Sequence, residues 1–295
     1  MFGDLASSDE IDRSVDRLLR AADAYGRFPT PVDDLVRAAN LAQADDFVLD
    51  ESFIVKAADH LRLLLRSAKR KIQGIIDRRA RVVHVSPEIE NEGKRRFVML
   101  HETAHDIIPH QQDLLYADSH ETLAPTTKHL FEQEANQGAA ELLFQRTWFE
   151  KDADDLEVSM AAIQYLANRY GSSFHSAFRR YAETVSFPVA AIVLGRNPLR
   201  LTPKTWKREE VMATPSWQRR FGRPTWPRAI EATSHPFVAA LDYPALDEFG
   251  LVDLNAATAN VRVETHLNGY KRFLLLWVPK RKLLAARKLR VLERW

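Results

Sequence analysis

The pentapeptide His101-Glu102-Thr103-Ala104-His105 carries the clearest chemical pattern in the sequence. Apolar residues recur around it at helical spacing, which predicts that it lies on a buried helix. Residues four apart on a helix share a face, so the two imidazoles could bind one metal ion. Glu102 would project beside that face, where a carboxylate can accept a proton from a water molecule. The H-E-x-x-H pattern is typical of metal-dependent peptidases.

A catalytic metal ion of this type usually takes a third protein ligand, which must come from elsewhere in the chain. A later segment, predicted as a helix, offers three carboxylates: Glu132, Glu134 and Glu141. Their spacing alone does not decide which of them binds. Small residues in this segment would let the helix approach the motif helix closely, and they are Ala135, Gly138, Ala139 and Ala140.

Peptide hydrolysis would also need a donor for the negative charge that develops on the carbonyl oxygen. The candidates are His110, Tyr116, His120 and Tyr165. Asp106 could orient a ligand imidazole, but a solvated acid is the interpretation that we favour.

The composition excludes several other kinds of site. The chain has 295 residues, a formal net charge of +2 and no cysteine, so disulfides, thiolate metal ligands and a cysteine nucleophile are excluded. The small net charge does not by itself indicate a nucleic-acid partner. The sequence begins without a secretion signal and has no run of about 18 apolar residues, so we expect a cytoplasmic protein with no membrane partner.

Hydrophobic periodicity predicts the elements that must position these residues. Helices are predicted at 10–25, 32–41, 53–69, across the motif to about Pro109, and at 128–149, 158–170 and 173–184. β-Branched residues predict short strands at 74–77, 81–85 and 189–194. Asn268-Gly269 separates strand-like runs at 261–266 and 270–278, which predicts a hairpin. A loop is predicted at 110–127, and 196–236 show no clear period.

The residues around the motif resemble the ImmA/IrrE family of bacterial metallopeptidases. The first part of the resemblance is R-F-x-x-x-H-E-x-x-H, formed by Arg96, Phe97, His101, Glu102 and His105. The second part is E-x-x-A-N-x-x-A-A-x-L-L, formed by Glu132, Ala135, Asn136, Ala139, Ala140, Leu142 and Leu143. A Gly-x-x-Asp hairpin at 74–77 precedes the motif helix, as in that family. The resemblance is best over 74–150, fair over 10–73 and 151–194, and weak beyond.

This resemblance implies a set of metal ligands. By it, His101, His105 and Glu132 hold the ion and Glu102 is the catalytic base. Glu134 and Glu141 then become surface or supporting residues. Zinc is the expected metal, and manganese or iron would also suit these ligands. Where the family usually has Met-Pro, this chain has Phe144-Gln145, a departure at a helix end that leaves the ligands unaffected.

The resemblance also implies an α+β chain of three parts. Residues 1–150 would form a mainly helical, zincin-like metallopeptidase domain with a small hairpin. Residues 151–186 would form a helix-turn-helix-like helical module. Residues 187–295 would form a mixed α/β, GAF-like domain that senses a signal or docks the substrate.

By the same resemblance, the chain is a regulatory metal-dependent endopeptidase. Its expected protein substrate is a transcriptional repressor that carries a helix-turn-helix of its own. Cleavage would release genes for a stress or DNA-damage response, or for the transfer of mobile elements. A toxin–antitoxin or phage-defence component with the same catalytic domain is an alternative that the residues do not separate from this one.

A DNA-binding regulator that merely retains the metal domain is a further alternative, with weak DNA binding as its expected property. Basic and aromatic residues alternate from 217 to 228 and could contact phosphates and stack on bases. They are Trp217, Arg219, Arg220, Phe221, Arg223, Trp226 and Arg228. The helix predicted at 173–184 adds Arg179 and Arg180, but its aromatic residues indicate packing inside the protein. Residues 280–295 are predicted as a solvated final helix.

Overall fold

The structure is a computed structural model that describes residues 7–44, 73–112, 124–196, 205–231, 236–241, 247–269 and 271–279. It is 47% helical and 24% strand, which confirms the predicted α+β class. The chain divides into two compact units, Met1–Leu156 with Ala161–Tyr181, and Glu157–Met160 with Ala182–Trp295. The three-part division predicted from the sequence, with boundaries after 150 and 186, stays a prediction.

Helices predominate in the first two-thirds of the chain. They are α1 (Ser8–Ala21), α2 (Val32–Ala38), α3 (Glu92–Ile107), α4 (Pro125–Phe144), α5 (Thr147–Asp154), α6 (Met160–Tyr170) and α7 (Phe174–Thr184). α1 shows why such sequences fold as helices, because Ile11, Val15 and Leu18 are buried along one face. Asp9 and Glu10 lie in its first turn, where the helix dipole favours negative charge.

A small sheet lies in the first unit. Its strands are β1 (Ala42–Gln43), β2 (Gly74–Asp77) and β3 (Val82–Val85), in the order β1-β3-β2. The predicted hairpin is confirmed, since β2 pairs antiparallel with β3 and Gly74 lies opposite Val85. β1 pairs with β3 in parallel. Among the described strands, β2 is therefore at an edge of this sheet and is followed directly by the turn that leads into β3.

The prediction of one continuous helix over 128–149 is wrong, because the chain breaks between α4 and α5. Gln145 has a φ of 46°, a left-handed conformation that ends α4. Its buried side chain accepts a hydrogen bond from the Gly26 amide at 2.9 Å and donates one to the Ala24 carbonyl at 2.9 Å. These tertiary hydrogen bonds stabilise the left-handed conformation of Gln145, which hydrophobic periodicity does not predict.

An aromatic cluster joins the helices of the first unit. The ring of Phe149 in α5 lies 4.9 Å from that of Phe144 in α4 and 5.1 Å from that of Tyr170 in α6. Phe28 lies 4.5 Å from Tyr170. Such tilted and edge-to-face contacts are the geometries that aromatic pairs prefer. α6 thus contributes to the same core as α4 and α5.

The second unit is built on a six-stranded antiparallel sheet with the order β6-β5-β4-β9-β8-β7. The strands are β4 (Val189–Arg196), β5 (Thr205–Ala213), β6 (Ala229–Glu231), β7 (Glu248–Val252), β8 (Thr258–Asn268) and β9 (Lys271–Trp277). Two short helices, α8 (Pro215–Phe221) and α9 (Pro236–Ala239), accompany them. Trp217 of α8 and Val238 of α9 pack against Ile192 and Leu274 of the sheet. The stretch at 196–236, which showed no period, therefore contains two strands and a helix.

The hairpin predicted at Asn268-Gly269 is present, and its turn lies one residue later than the Asn-Gly pattern suggests. β8 and β9 are paired as far as Asn268 and Lys271. Gly269 has a φ of 58°, which glycine adopts without strain. The likeness of this unit to a GAF domain stays a prediction.

Some sequence predictions concern residues outside the described part of the chain. They are the helix at 53–69, most of the loop at 110–127, the candidates Tyr116 and His120, and the helix at 280–295. Among the helices that are described, none combines the length and the apolar character needed to cross a membrane.

Candidate metal centre

α3 places the two histidines of the motif side by side. The helix begins cleanly because the Asn91 side chain accepts a hydrogen bond from the Lys94 amide at 2.8 Å. His101 and His105 are one turn apart, and their rings are nearly perpendicular, with an interplanar angle of 88°. Their Nε2 atoms lie 3.2 Å from each other. Both rings therefore direct the same nitrogen toward one point.

Glu132 of α4 completes a three-ligand arrangement at that point. Its Oε2 lies 3.3 Å from His101 Nε2, and its Oε1 lies 3.6 Å from His105 Nε2. Ligands about 2.0–2.1 Å from a tetrahedral ion are separated from one another by about 3.3 Å. The three separations therefore fit a metal ion bound by His101, His105 and Glu132. Three protein ligands would leave a bound ion free to take water or substrate as well.

Close packing of α3 against α4 makes this approach of Glu132 feasible. A Cβ added to Gly138 would lie 3.0 Å from the Ala104 Cβ, so the two helices leave no room for a larger residue there. Ala135 and Ala139 are fully buried in the same helix. The small residues of α4 thus act as the sequence predicts.

The other two carboxylates considered from the sequence lie away from the three ligands. Glu134 is 1% exposed and is bound by Gln111, His110 and Ser7. Glu141 is buried in an ion pair with Arg180, whose Nη1 lies 2.9 Å from Glu141 Oε1. The resemblance left two roles open for these glutamates, at the surface or in support of the site. Both side chains are buried, so neither is a surface residue.

Glu102 lies beside the ligands, and its side chain is almost entirely buried. Burial raises the pKa of the Glu102 carboxyl, and the neighbouring charges of His101 and His105 act in the opposite direction. Burial also opposes protonation of His101, yet hydrogen bonding to Glu132 and the charge of Glu102 outweigh it and raise the pKa of that histidine. The two neighbouring histidines lower the pKa of the Glu132 carboxyl.

The β2–β3 hairpin packs closely on the motif helix. A Cβ added to Gly74 would lie 2.6 Å from Val98 Cγ1 and 2.8 Å from Glu102 Oε1, so a larger residue would force these side chains to shift. Asp77 shapes the turn, because its Oδ1 accepts hydrogen bonds from the Arg79 and Ala80 amides at 2.9 Å. The Gly-x-x-Asp pattern of the sequence thus has a physical reason at both ends.

Arg78, in the same turn, was not found from the sequence. Its Nη2 donates a hydrogen bond to the His105 carbonyl at 3.2 Å, and its charge favours the ionised form of Glu102. The sequence around Arg78 does not predict this contact with His105, because the contact depends on how the hairpin packs against α3.

Asp106 is not the solvated acid that the sequence favoured. It is 3% exposed and forms a bidentate ion pair with Arg81, at 2.7 Å and 2.8 Å. Arg81 also donates to the Ala39 carbonyl, so this pair connects α3 to the start of β3 and the end of α2. Its role is to hold elements together.

Of the described candidates for an oxyanion donor, His110 is poorly suited to that role, and Tyr165 stays a prediction. His110 has both ring nitrogens engaged, Nδ1 with Glu10 and Nε2 with Glu134, each at 2.7 Å. Tyr165 lies on α6 and is 54% exposed.

Comparison with known proteins gives a match that contains this site. Residues 60–181 match the family model of the IrrE N-terminal-like domain, peptidase family M78. Residues 60–181 therefore carry an IrrE N-terminal-like domain. No curated protein matches the sequence. Among solved structures, a Mycobacterium tuberculosis transcriptional regulator is similar with a TM-score of 0.49 and 14% identity, over 91% of this chain and 76% of that one.

The IrrE N-terminal-like domain includes the hairpin β2–β3 and helices α3 to α6. All three candidate ligands, together with Glu102, lie within it. The chain thus has a metallopeptidase-like domain with a candidate His, His, Glu metal site, as the resemblance in the sequence implies.

Proposed function

We propose that this chain is a metal-dependent endopeptidase. His101, His105 and Glu132 would hold the ion, and zinc is the metal that best suits two imidazoles and one carboxylate. The observation that supports this most strongly is the set of ligand separations, 3.2, 3.3 and 3.6 Å. Manganese or iron would use the same residues.

The proposed mechanism gives Glu102 the proton transfers. A bound metal ion would supply Lewis acidity toward a water molecule and toward the scissile carbonyl. Glu102 would accept the proton of the attacking water and then deliver it to the leaving amine. Its burial suits this role, since burial raises the pKa of the carboxyl and so helps it to hold the proton before passing it on.

We further propose a regulatory role, in which the substrate is a transcriptional repressor with a helix-turn-helix. This part of the proposal rests on the ImmA/IrrE resemblance and on the match to the IrrE N-terminal-like domain. A stress or DNA-damage response, or mobile-element control, would be the setting, and the cytoplasm the expected location. A toxin–antitoxin or phage-defence role would use the same chemistry on a different protein.

The described residues weigh against the DNA-binding alternative. Arg180 is 5% exposed and is held by Glu141, so it does not face a DNA groove. Trp217 is 1% exposed and packs in the sheet unit, which prevents it from stacking on a base. Arg219, Arg223 and Arg228 are exposed and could contact phosphates, a contact that by itself gives no specificity.

Two substitutions test the metallopeptidase proposal. We expect Glu102→Gln to retain its metal and lose cleavage, because the base is removed and the three ligands stay. We expect Glu132→Ala to lose the metal as well. Metal content is measured by mass spectrometry, and cleavage by co-expression with a candidate repressor, for example one encoded beside this gene.

Gln133→Ala is the matched control, because Gln133 is exposed on the same helix one residue from Glu132. It should leave metal content and cleavage unchanged. Full metal occupancy in Glu132→Ala would refute the ligand assignment. A repressor that is cleaved equally by wild type and Glu102→Gln would refute the assigned base.

A further inference from the structure

A buried hydrogen bond ties His105 to a side chain outside the ligand set. His105 Nδ1 lies 2.7 Å from Gln111 Oε1, and Gln111 is fully buried. An amide can turn either its oxygen or its nitrogen toward a partner, so this contact alone does not say which atom donates. The surroundings of Gln111 decide the question.

Two acceptors fix the orientation of the Gln111 amide. Its Nε2 lies 2.7 Å from Glu134 Oε2 and 3.3 Å from the Phe131 carbonyl oxygen. Both partners accept hydrogen bonds, so the amide nitrogen must face them and the amide oxygen must face His105. His105 Nδ1 therefore carries the hydrogen, and Nε2 keeps its lone pair for the metal side of the ring.

Glu134 is itself held in place, which makes this orientation rigid. Its Oε2 also accepts a hydrogen bond from His110 Nε2 at 2.7 Å, and its Oε1 accepts one from the Ser7 hydroxyl. His110 is bound on its other side by Glu10 of α1. The chain of contacts thus begins at α1, passes through the buried Glu134, and ends at His105.

We propose that Gln111 is a positioning residue: held by Glu134, it fixes His105 in the Nδ1–H tautomer and thereby strengthens metal binding at Nε2. The inference rests on the proposed metal site. Partners of this kind typically change metal affinity by about 10- to 100-fold.

The tautomer is measured directly by nitrogen NMR on the full-length protein, labelled with ¹⁵N in its histidines and stripped of metal. His105 is assigned by comparison with His105→Gln. At a pH at which the ring is neutral, we expect the Nδ1–H form for wild-type His105. Observation of the Nε2–H form would overturn the proposal, and this measurement does not depend on the folding of any variant at Gln111.

Metal affinity provides the second measurement, by competition for Zn²⁺ with a chelating dye. Gln111→Met keeps the length of the side chain and removes the hydrogen bonds, and we expect a dissociation constant about 10- to 100-fold higher. The double variant Gln111→Glu with Glu134→Gln exchanges carboxylate and amide. It restores an acceptor for His105 and a donor between the two side chains, but it places a carboxylate oxygen against the Phe131 carbonyl, so affinity should return in part.

The outcomes separate this proposal from the proposed function. If wild type binds no Zn²⁺, the metal site itself is wrong. If wild type binds Zn²⁺ and Gln111→Met binds it equally well, the site stands and the positioning role of Gln111 is overturned.

Discussion

At the scale of single residues, Gly74 sets the position of the proposed base. An added methyl group would overlap Val98 and Glu102 Oε1. We therefore expect Gly74→Ala to lower the rate of cleavage by about 10- to 100-fold, a typical cost of misplacing a reacting group by about 1 Å. Metal content should stay near wild type, because none of the three ligands touches the new atom.

The matched control for that variant is Gly250→Ala, which also adds a methyl group to a strand. Its nearest neighbour would be Thr258 Cγ2 at 3.1 Å, far from the site in sequence. Wild-type activity in Gly74→Ala, with the metal retained, would contradict the role given to Gly74.

His110 gives the molecule a pH-dependent contribution to stability. Desolvation opposes its protonation, but hydrogen bonds and charge from Glu134 and Glu10 outweigh it and raise the pKa of His110 above 6.5. A raised histidine pKa stabilises the fold fully below about pH 6.5, and the effect is lost as pH rises through the folded value. We expect His110→Gln to lower the free energy of unfolding more at about pH 5.5 than at about pH 9.

Urea denaturation at the two pH values measures this difference. His129→Gln is the control, because His129 is an exposed histidine on α4. An effect of His110→Gln that is equal at both pH values, or greater at high pH, would show that the charged form is not favoured by folding.

Single residues also show what the sequence could and could not reveal about the site. His101, Glu102 and His105 share a local spacing that has a chemical meaning, so the sequence predicts them directly. Glu132 needed the family resemblance, because spacing alone did not choose among three carboxylates on one segment. Gln111 and Arg78 had no local signal, since their roles depend on burial and on contacts with distant elements.

At the scale of elements, the ion pair between Glu141 and Arg180 connects α4 to α7. Both side chains are buried, and the guanidinium makes two hydrogen bonds to the carboxylate, at 2.9 Å and 3.1 Å. Removing one charge leaves the other in the interior without this partner. We expect Glu141→Leu to lower the free energy of unfolding by about 3–5 kcal/mol.

A double-mutant cycle tests that prediction by urea denaturation. Glu141→Leu combined with Arg180→Met should cost less than Glu141→Leu alone, because no buried charge remains. Arg20→Met, which breaks an exposed pair with Asp16, should have a much smaller effect. Strictly additive effects at Glu141 and Arg180 would contradict the coupling.

The elements themselves were largely predictable where one pattern dominates. α1, α3, α6 and α7 follow hydrophobic periodicity, and β2 and β3 follow β-branched composition. The break at Gln145 was missed because a left-handed glutamine is stabilised by tertiary contacts with Ala24 and Gly26. β5 was missed because its exposed and buried positions mix charge with apolar residues.

At the scale of the whole molecule, the charge distribution predicts only weak binding to nucleic acid. The net charge is +2, and the exposed Arg219, Arg223 and Arg228 are among the described residues that could meet phosphates. We expect binding to duplex DNA to be independent of sequence, with a dissociation constant of about 10⁻⁴–10⁻⁶ M at physiological salt.

Fluorescence anisotropy over a series of salt concentrations checks this expectation. A triple change to alanine at those arginines should weaken binding at low salt and leave repressor cleavage unaffected. Nanomolar, sequence-specific binding at physiological salt would instead favour the alternative function, a DNA-binding regulator that retains the metal domain.

The strand order of the second unit could not be predicted from the sequence, because β4 pairs with β9 across some eighty intervening residues. This order has a consequence during synthesis. A ribosome completes β4 early, yet its neighbour on one side, β9, is made after all the other strands of the sheet. β4 is almost wholly apolar, so the nascent chain must carry an apolar strand with one edge unpaired until translation reaches residue 277. Chaperone dependence during translation should therefore be concentrated in this unit.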